Sequence, residues 1–201
     1  PYIVANPADL GKVWSRPSSY YWLGSPLDLS GISWSYSVVP AFAGVFDGRG
    51  FSISNLTVIR DWSDYIGLFG RLFKDSELQN LGTENISMRG SNFVGGLAGE
   101  NYSGRITACH TTGSVQGEGY AGGLLGMADY SSLASCYHTG SVNGVITGGL
   151  VGYSSYSSIA GCYAAGAVNG QDESTGGLVG EASNGSITSS YAACSVAGTG
   201  E

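Results

Sequence analysis

The sequence predicts an all-β fold, a parallel β-helix (β-solenoid) with three short strands in each coil of about 27 residues, about six coils in all, and a short capping helix at the N-terminus. Three recurrent phrases carry this. The first is Ile66-Gly67-Leu68-Phe69-Gly70, repeated as Gly95-Gly96-Leu97-Ala98-Gly99, Gly122-Gly123-Leu124-Leu125-Gly126, Gly148-Gly149-Leu150-Val151-Gly152 and Gly176-Gly177-Leu178-Val179-Gly180. Its leucines step by 26 to 29 residues, a solenoid period. The second runs Ile53-Ser54-Asn55-Leu56, Leu78-Gln79-Asn80-Leu81, Ile106-Thr107-Ala108-Cys109, Leu133-Ala134-Ser135-Cys136, Ile159-Ala160-Gly161-Cys162 and Ile187-Thr188-Ser189-Ser190, with its first and fourth positions facing inward. The third is Gly113-Ser114-Val115, Gly140-Ser141-Val142, Gly166-Ala167-Val168 and Cys194-Ser195-Val196. Gly, Ser and Asn turn signals separate the phrases, and no helix-length amphipathic run intervenes.

Taken in chain order, Asn6-Pro7-Ala8-Asp9-Leu10 opens a short helix. Asn6 is an N-cap residue, Pro7 takes the first helical position, and Leu10, Val13 and Trp14 supply the apolar face. Residues 1–41 read as a cap that hides the open edge of the first coil. Residues 42–201 read as the coils, and the whole of 1–201 as a single domain without a linker. No lid follows Val196, so the last coil is expected to be uncovered. The sequence opens at Pro1 with no charged leader and apolar core, so an export signal is expected to lie outside it.

Composition agrees with many tight bends and excludes some functions. There are 34 glycines, 42% hydrophobic residues and only 11% charged ones. All Lys and Arg residues lie at or before Arg105, and the net charge is −7, which argues against a phosphate-binding surface and so against nucleic acid. No apolar run is long enough to predict a transmembrane segment.

On these phrases the repeats resemble the GLUG motif, a Gly-Leu-any-Gly phrase that usually continues as Ile-Thr-Asn-Cys-Tyr-Ala-Thr-Gly-Ser-Val. Ile106 to Val115 and Ile159 to Val168 are close matches. The lead-in from Leu27 to Gly31 and from Phe42 to Leu56 is similar to the segment that commonly precedes such repeats. The resemblance implies an exported bacterial protein, secreted or at the cell surface, because the family occurs in adhesin-like chains and in non-catalytic regions of some immunoglobulin A peptidases. The H-E-x-x-H phrase of metalloproteases is absent, His110 and His138 being the two histidines, so peptidase activity does not carry over.

Candidate positions follow from the register. Leu97, Leu124, Leu150 and Leu178 form one core column. Cys109, Cys136 and Cys162 form another, in which Leu56 and Leu81 precede them and Ser190 follows, so these cysteines are expected to act as small apolar groups and free thiols. The alternative is a disulfide, since coils about 4.8 Å apart permit the Cα separation; in-register Cβ atoms keep that spacing, slightly beyond what a bridge prefers. Cys194 falls in the column of Gly113, Gly140 and Gly166, away from the others. Tyr137, Tyr163 and Tyr191 follow His110 in an outward column that suits stacking on sugars or on another protein; the competing reading has the rings stacking on one another. The acids Glu100, Glu118, Asp129, Asp172, Glu173 and Glu181 form no regular row and no calcium loop. Gly117-Glu118-Gly119-Tyr120-Ala121-Gly122 fits a nucleotide fingerprint only in letters, with no helix after it. No catalytic residue, metal or cofactor is expected.

The reading is a non-enzymatic structural or adhesive solenoid that associates end to end into a fibre, with other copies of itself, a surface glycan or a host or cell-surface protein as partners. An extended Tyr2-Ile3-Val4-Ala5 is positioned to add a strand to an open edge. The alternative is a glycan-binding module of a secreted degradative enzyme.

Overall fold

The computed structural model describes residues 1–171 and 174–198. The chain winds through about seven turns of a parallel β-solenoid, and every strand pairing is parallel. The first sheet stacks Tyr2–Val4, Tyr20–Leu23, Val45–Asp47, Glu77–Gln79, Arg105–Thr107, Ser132–Ala134, Ser158–Ala160 and Ser186–Thr188. The second holds the longest strands, among them Gly82–Gly90, His110–Gly117, Tyr137–Gly144, Tyr163–Gly170 and Tyr191–Gly198. The third runs from Val39–Phe42 through Ala98–Tyr102, Leu125–Asp129 and Val151–Ser155 to Val179–Ser183. A fourth, short ladder of Val94–Gly95, Tyr120–Gly122, Ile146–Gly148 and Thr175–Gly176 lies at the Gly-Gly step, where the sequence shows only a turn.

The repeat phrases superpose as neighbours. Leu97 N–H donates to Leu124 O, Leu124 N–H to Leu150 O and Leu150 N–H to Leu178 O, at 2.8 to 2.9 Å. Ile106 pairs with Leu78 and Leu133, and Val142 with Val115 and Val168. Leu97, Leu124 and Leu150 are completely buried, as are Cys109, Cys136 and Cys162; Leu178, in the last described coil, is half-buried. Burying each such leucine stabilises the fold by about 1.5–3 kcal/mol. Nearer the N-terminus the interior is wider and filled by rings, with Phe42 and Phe46 packing on Phe69 at 5.3 and 5.6 Å between centroids.

The third residue of the second phrase turns a corner. Asn80, Ala108, Ser135, Gly161 and Ser189 all have a left-handed φ between 49° and 61°. That conformation strains a side-chain-bearing residue by about 1–2 kcal/mol, and it persists because the buried residues on either side of the corner, Ile106 and Cys109 for example, fix it. Gly122 is required for a different reason: a Cβ there would lie 2.0 Å from Leu125 O.

The opening segment contributes rungs of its own. Helix α1, Pro7–Leu10, is capped by Asn6, whose Oδ1 accepts from Asp9 N–H at 3.0 Å. Leu10 and Val13 are buried, but Trp14 is 61% exposed, because Gly11 ends the helix and a 3-10 turn over Val13–Ser15 changes the angular spacing. Within 1–41, Tyr2–Val4 and Tyr20–Leu23 are themselves rungs of the first sheet, which extends the winding into the opening segment.

Candidate functional site

The outward side of the second sheet carries the aromatic column. His110, Tyr137, Tyr163 and Tyr191 stand at one register position in successive coils. Their rings are parallel to within 6°, with centroids 4.8, 4.7 and 5.2 Å apart, so each ring face lies against its neighbour. His110 Nε2 lies 3.2 Å from Glu84 Oε1, and Ser52 donates to the same oxygen at 2.6 Å. Ser52 first and His110 second hold the Glu84 carboxyl below its ordinary range. Burial, then the neighbouring Tyr137 and Tyr191, push the Tyr163 phenol up. With the faces of Tyr137 and Tyr163 occupied, a sugar can meet the edges of this column but cannot slide between its rings.

Two further aromatic rows escaped the sequence reading. Tyr65, Phe93 and Tyr120 stack at 5.0 and 5.3 Å. Tyr130 and Tyr156 stack at 4.9 Å. Tyr65 and Phe93 hold left-handed φ at the corner before the Gly-Leu phrase, and Tyr130 and Tyr156 hold it at the corner after the third sheet. The signal was available: each row is periodic, but turn positions were read as Gly, Ser and Asn only. Arg71 lies 4.5 Å from the Tyr65 centroid and 5.2 Å from that of Phe73 while its Nε donates to Glu100 Oε2 at 2.5 Å. Glu100 is buried, and that ion pair accounts for it.

The cysteine column is packed as thiols. Cys136 N–H donates to Cys162 Sγ at 3.4 Å, and Cys136 Sγ–H reaches Ala134 O at 3.2 Å. All four cysteines are unbridged. Burial pushes Cys109 up to about 12. The contact with Cys162, and then burial, holds Cys136 well above the ordinary thiol value. Cys194 pairs with Gly166, but without the left-handed φ of Gly113, Gly140 and Gly166 its side chain packs on the core and its Sγ–H reaches Gly177 O at 3.4 Å.

His138 sits in the core, one residue after Tyr137. Thr111 Oγ1 donates to Gly123 O at 2.8 Å, so its proton is committed, and the 2.9 Å contact with His138 Nδ1 is assigned as Nδ1–H donating to that oxygen. Nε2 has no partner among the described residues, and burial lowers the imidazole pKa to about 4.

Among the described residues no group of three or more His, Cys, Asp or Glu side chains is arranged to hold a metal ion. Asp172 and Glu173 lie outside the described residues. No helix among the described residues is long and apolar enough to cross a membrane.

Fold and surface together define a parallel β-solenoid with ring-stacked outer rows. No family model matches the chain. A stretch of 75 residues, 37% of the chain, is 43% identical to halomucin of Haloquadratum walsbyi, and this match spans 1% of halomucin's length. A crystal structure of a candidate immunoglobulin A1 protease from Bacteroides ovatus aligns with the whole chain and 84% of its own, with a TM-score of 0.55 and 17% identity, which shows a shared fold.

Proposed function

We propose that this chain is a non-enzymatic, adhesive β-solenoid of an exported protein, a rigid rod that presents ordered rows of aromatic, hydroxyl and amide groups to a surface. The observation that carries the reading is the registration of outward rows at coil spacing: Arg89, Gln116, Asn143 and Asn169 share one position of the second sheet, and His110, Tyr137, Tyr163 and Tyr191 share another. Support for export and surface location comes from the GLUG resemblance and from the likeness of part of the chain to halomucin. Non-catalytic use agrees with the place such repeats take in the peptidase-like chains they resemble. Bead-coupled protein should attach to a cell or mucus surface in proportion to coating density and retain no hydrolase activity on that surface; attachment no greater than that of albumin-coated beads would remove the adhesive role.

One observation favours end-to-end association as a second reading. Ile187 and Val196, in the last described rung, are 47% and 48% exposed, whereas their counterparts Ile159 and Val168 are buried. Another winding would bury them, whether further coils of a longer chain or the Tyr2–Val4 strand of a second copy. Sedimentation velocity across a hundredfold concentration range should then show species larger than the monomer, diminished in the Ile187→Lys variant; a constant monomer would end this reading.

A further inference from the structure

Trp62 is 89% exposed, and among the described residues its indole has no ring or cation partner. It stands in the loop between strands Thr57–Ile59 and Phe69–Leu72, at the rim of a cavity of about 250 Å³ that it shares with Asp61, Arg89, Gln116 and Glu118. Two N–H groups of Arg89, Nε and Nη2, donate to the two carboxylate oxygens of Asp61, a fork that fixes both planes. Three of the five guanidinium N–H groups remain, together with the lone pairs of Asp61 and Glu118 and the Gln116 amide, which both donates and accepts. From Arg89 the same register position continues down the rod as Gln116, Asn143 and Asn169, with Asn169 Nδ2 donating to Asn143 Oδ1 at 2.9 Å.

We propose that Trp62, Asp61, Arg89, Gln116 and Glu118 form a subsite for a neutral saccharide, and that the amide row beyond it receives the following sugar units. The proposal rests on the adhesive reading and names its ligand class. The chemistry selects the ligand on three counts. A flat aromatic face held out in water matches the C–H face of a pyranose ring, whereas a protein hot spot would surround the indole with apolar neighbours. A polar cavity just below the usual 300–1,000 Å³ of drug-sized sites suits one ring dense in hydroxyls, which donate to carboxylates and accept from guanidinium and amide N–H groups. The Asp61, Arg89 and Glu118 charges sum to one negative, in a chain of net charge −7, so a uronate or other acidic sugar is repelled.

The test is calorimetric titration of the full chain with maltohexaose, cellohexaose, mannohexaose and hexagalacturonate, followed in parallel by tryptophan fluorescence. At least one neutral hexasaccharide should bind saturably. Trp62→Ala should weaken that binding at least tenfold with an unchanged melting temperature, since the ring packs on nothing, and Gln116→Ala should weaken it severalfold. The proposal is overturned if no neutral hexasaccharide binds, if Trp62→Ala binds as the wild type does, or if hexagalacturonate binds more tightly. Saccharide binding without attachment to any surface keeps this subsite and removes the adhesive role. Attachment that persists in Trp62→Ala, with no saccharide bound by either protein, keeps the adhesive role and removes the subsite. Attachment to an enzymatically deglycosylated surface that is lost in Trp62→Ala assigns the ring to a protein partner and overturns the saccharide.

Discussion

Replacing His138 by alanine should flatten the acid side of the stability curve. The ring is 1% exposed, and Nε2 has no partner, so protonation must place a charge in the core. Burial lowers the folded-state pKa to about 4 from an ordinary 6.5. The folded value lies below the unfolded one, so folding favours the neutral ring; this contribution is complete above pH 6.5 and is lost as pH falls towards 4. Linkage makes the loss about 2 kcal/mol between pH 7 and 5 and about 3 kcal/mol by pH 4. Alanine already occupies this register position one coil later, at Ala164, so the backbone accepts the substitution. Thr111 keeps its bond to Gly123 O. Urea unfolding of wild type and His138→Ala at half-unit intervals from pH 7.5 to 4.5 isolates the difference, because the carboxylates are common to both. The variant should be less stable at pH 7, having lost packing, yet lose about 2 kcal/mol less than wild type on going to pH 5. Parallel curves would refute the reasoning and mean that the imidazole is hydrated or charged in the fold.

Leu124→Asp should prevent folding, since it buries an unpaired carboxylate between Leu97 and Leu150; a soluble variant with the wild-type circular dichroism melt would contradict that burial. Gly122→Ala drives a Cβ to 2.0 Å from Leu125 O and should destabilise by about 1–3 kcal/mol in denaturant unfolding, more than the same change at Gly11, whose φ is −63° and where the added carbon meets nothing closer than 3.5 Å. Tyr163→Ala removes two ring contacts, at 4.7 and 5.2 Å, and should lower stability by about 1–3 kcal/mol while leaving binding at Trp62 untouched. Reagent titration of the denatured protein should count four thiols, with Cys109 silent in the native state; a shortfall after denaturation would indicate a bridge in the cysteine column.

Much of the winding was legible because a solenoid repeats its solution. Position by position, Leu97, Leu124 and Leu150 answer the same packing question, so one pattern read several times outweighs the weak strand propensity of any single phrase. Cys136 shows the same logic: its meaning as an apolar group came from Leu81 in the same column, and it lies buried beside Cys162. The fourth ladder at Gly95, Gly122, Gly148 and Gly176 was not legible as strand, because glycine reads as a turn in sequence and its role there is to let backbones approach. The opening segment was harder for the opposite reason: Tyr2–Val4 and Tyr20–Leu23 carry none of the repeat phrases, yet join the first sheet through backbone hydrogen bonds, to which side-chain periodicity is blind.

The outer surface was the least legible part, and the difference is physical. A core column is constrained by both neighbours and so repeats. A ligand site gains from breaking the repeat at one place: Trp62 has no periodic counterpart, and Arg89 is followed in its row by Gln116 and Asn143. The tyrosine column is conspicuous in sequence because it is regular, and that regularity lets its rings satisfy one another at 4.7 to 5.2 Å. Trp62 is left with its faces to the solvent, and the exposed indole lies beside fixed donors and acceptors. For a rod of this kind, the anchoring subsite should be sought where the period fails on the outside, with the regular tyrosine column serving stability; replacing Trp62 by serine should therefore disturb binding without disturbing the melt, whereas replacing Tyr163 by alanine should do the reverse.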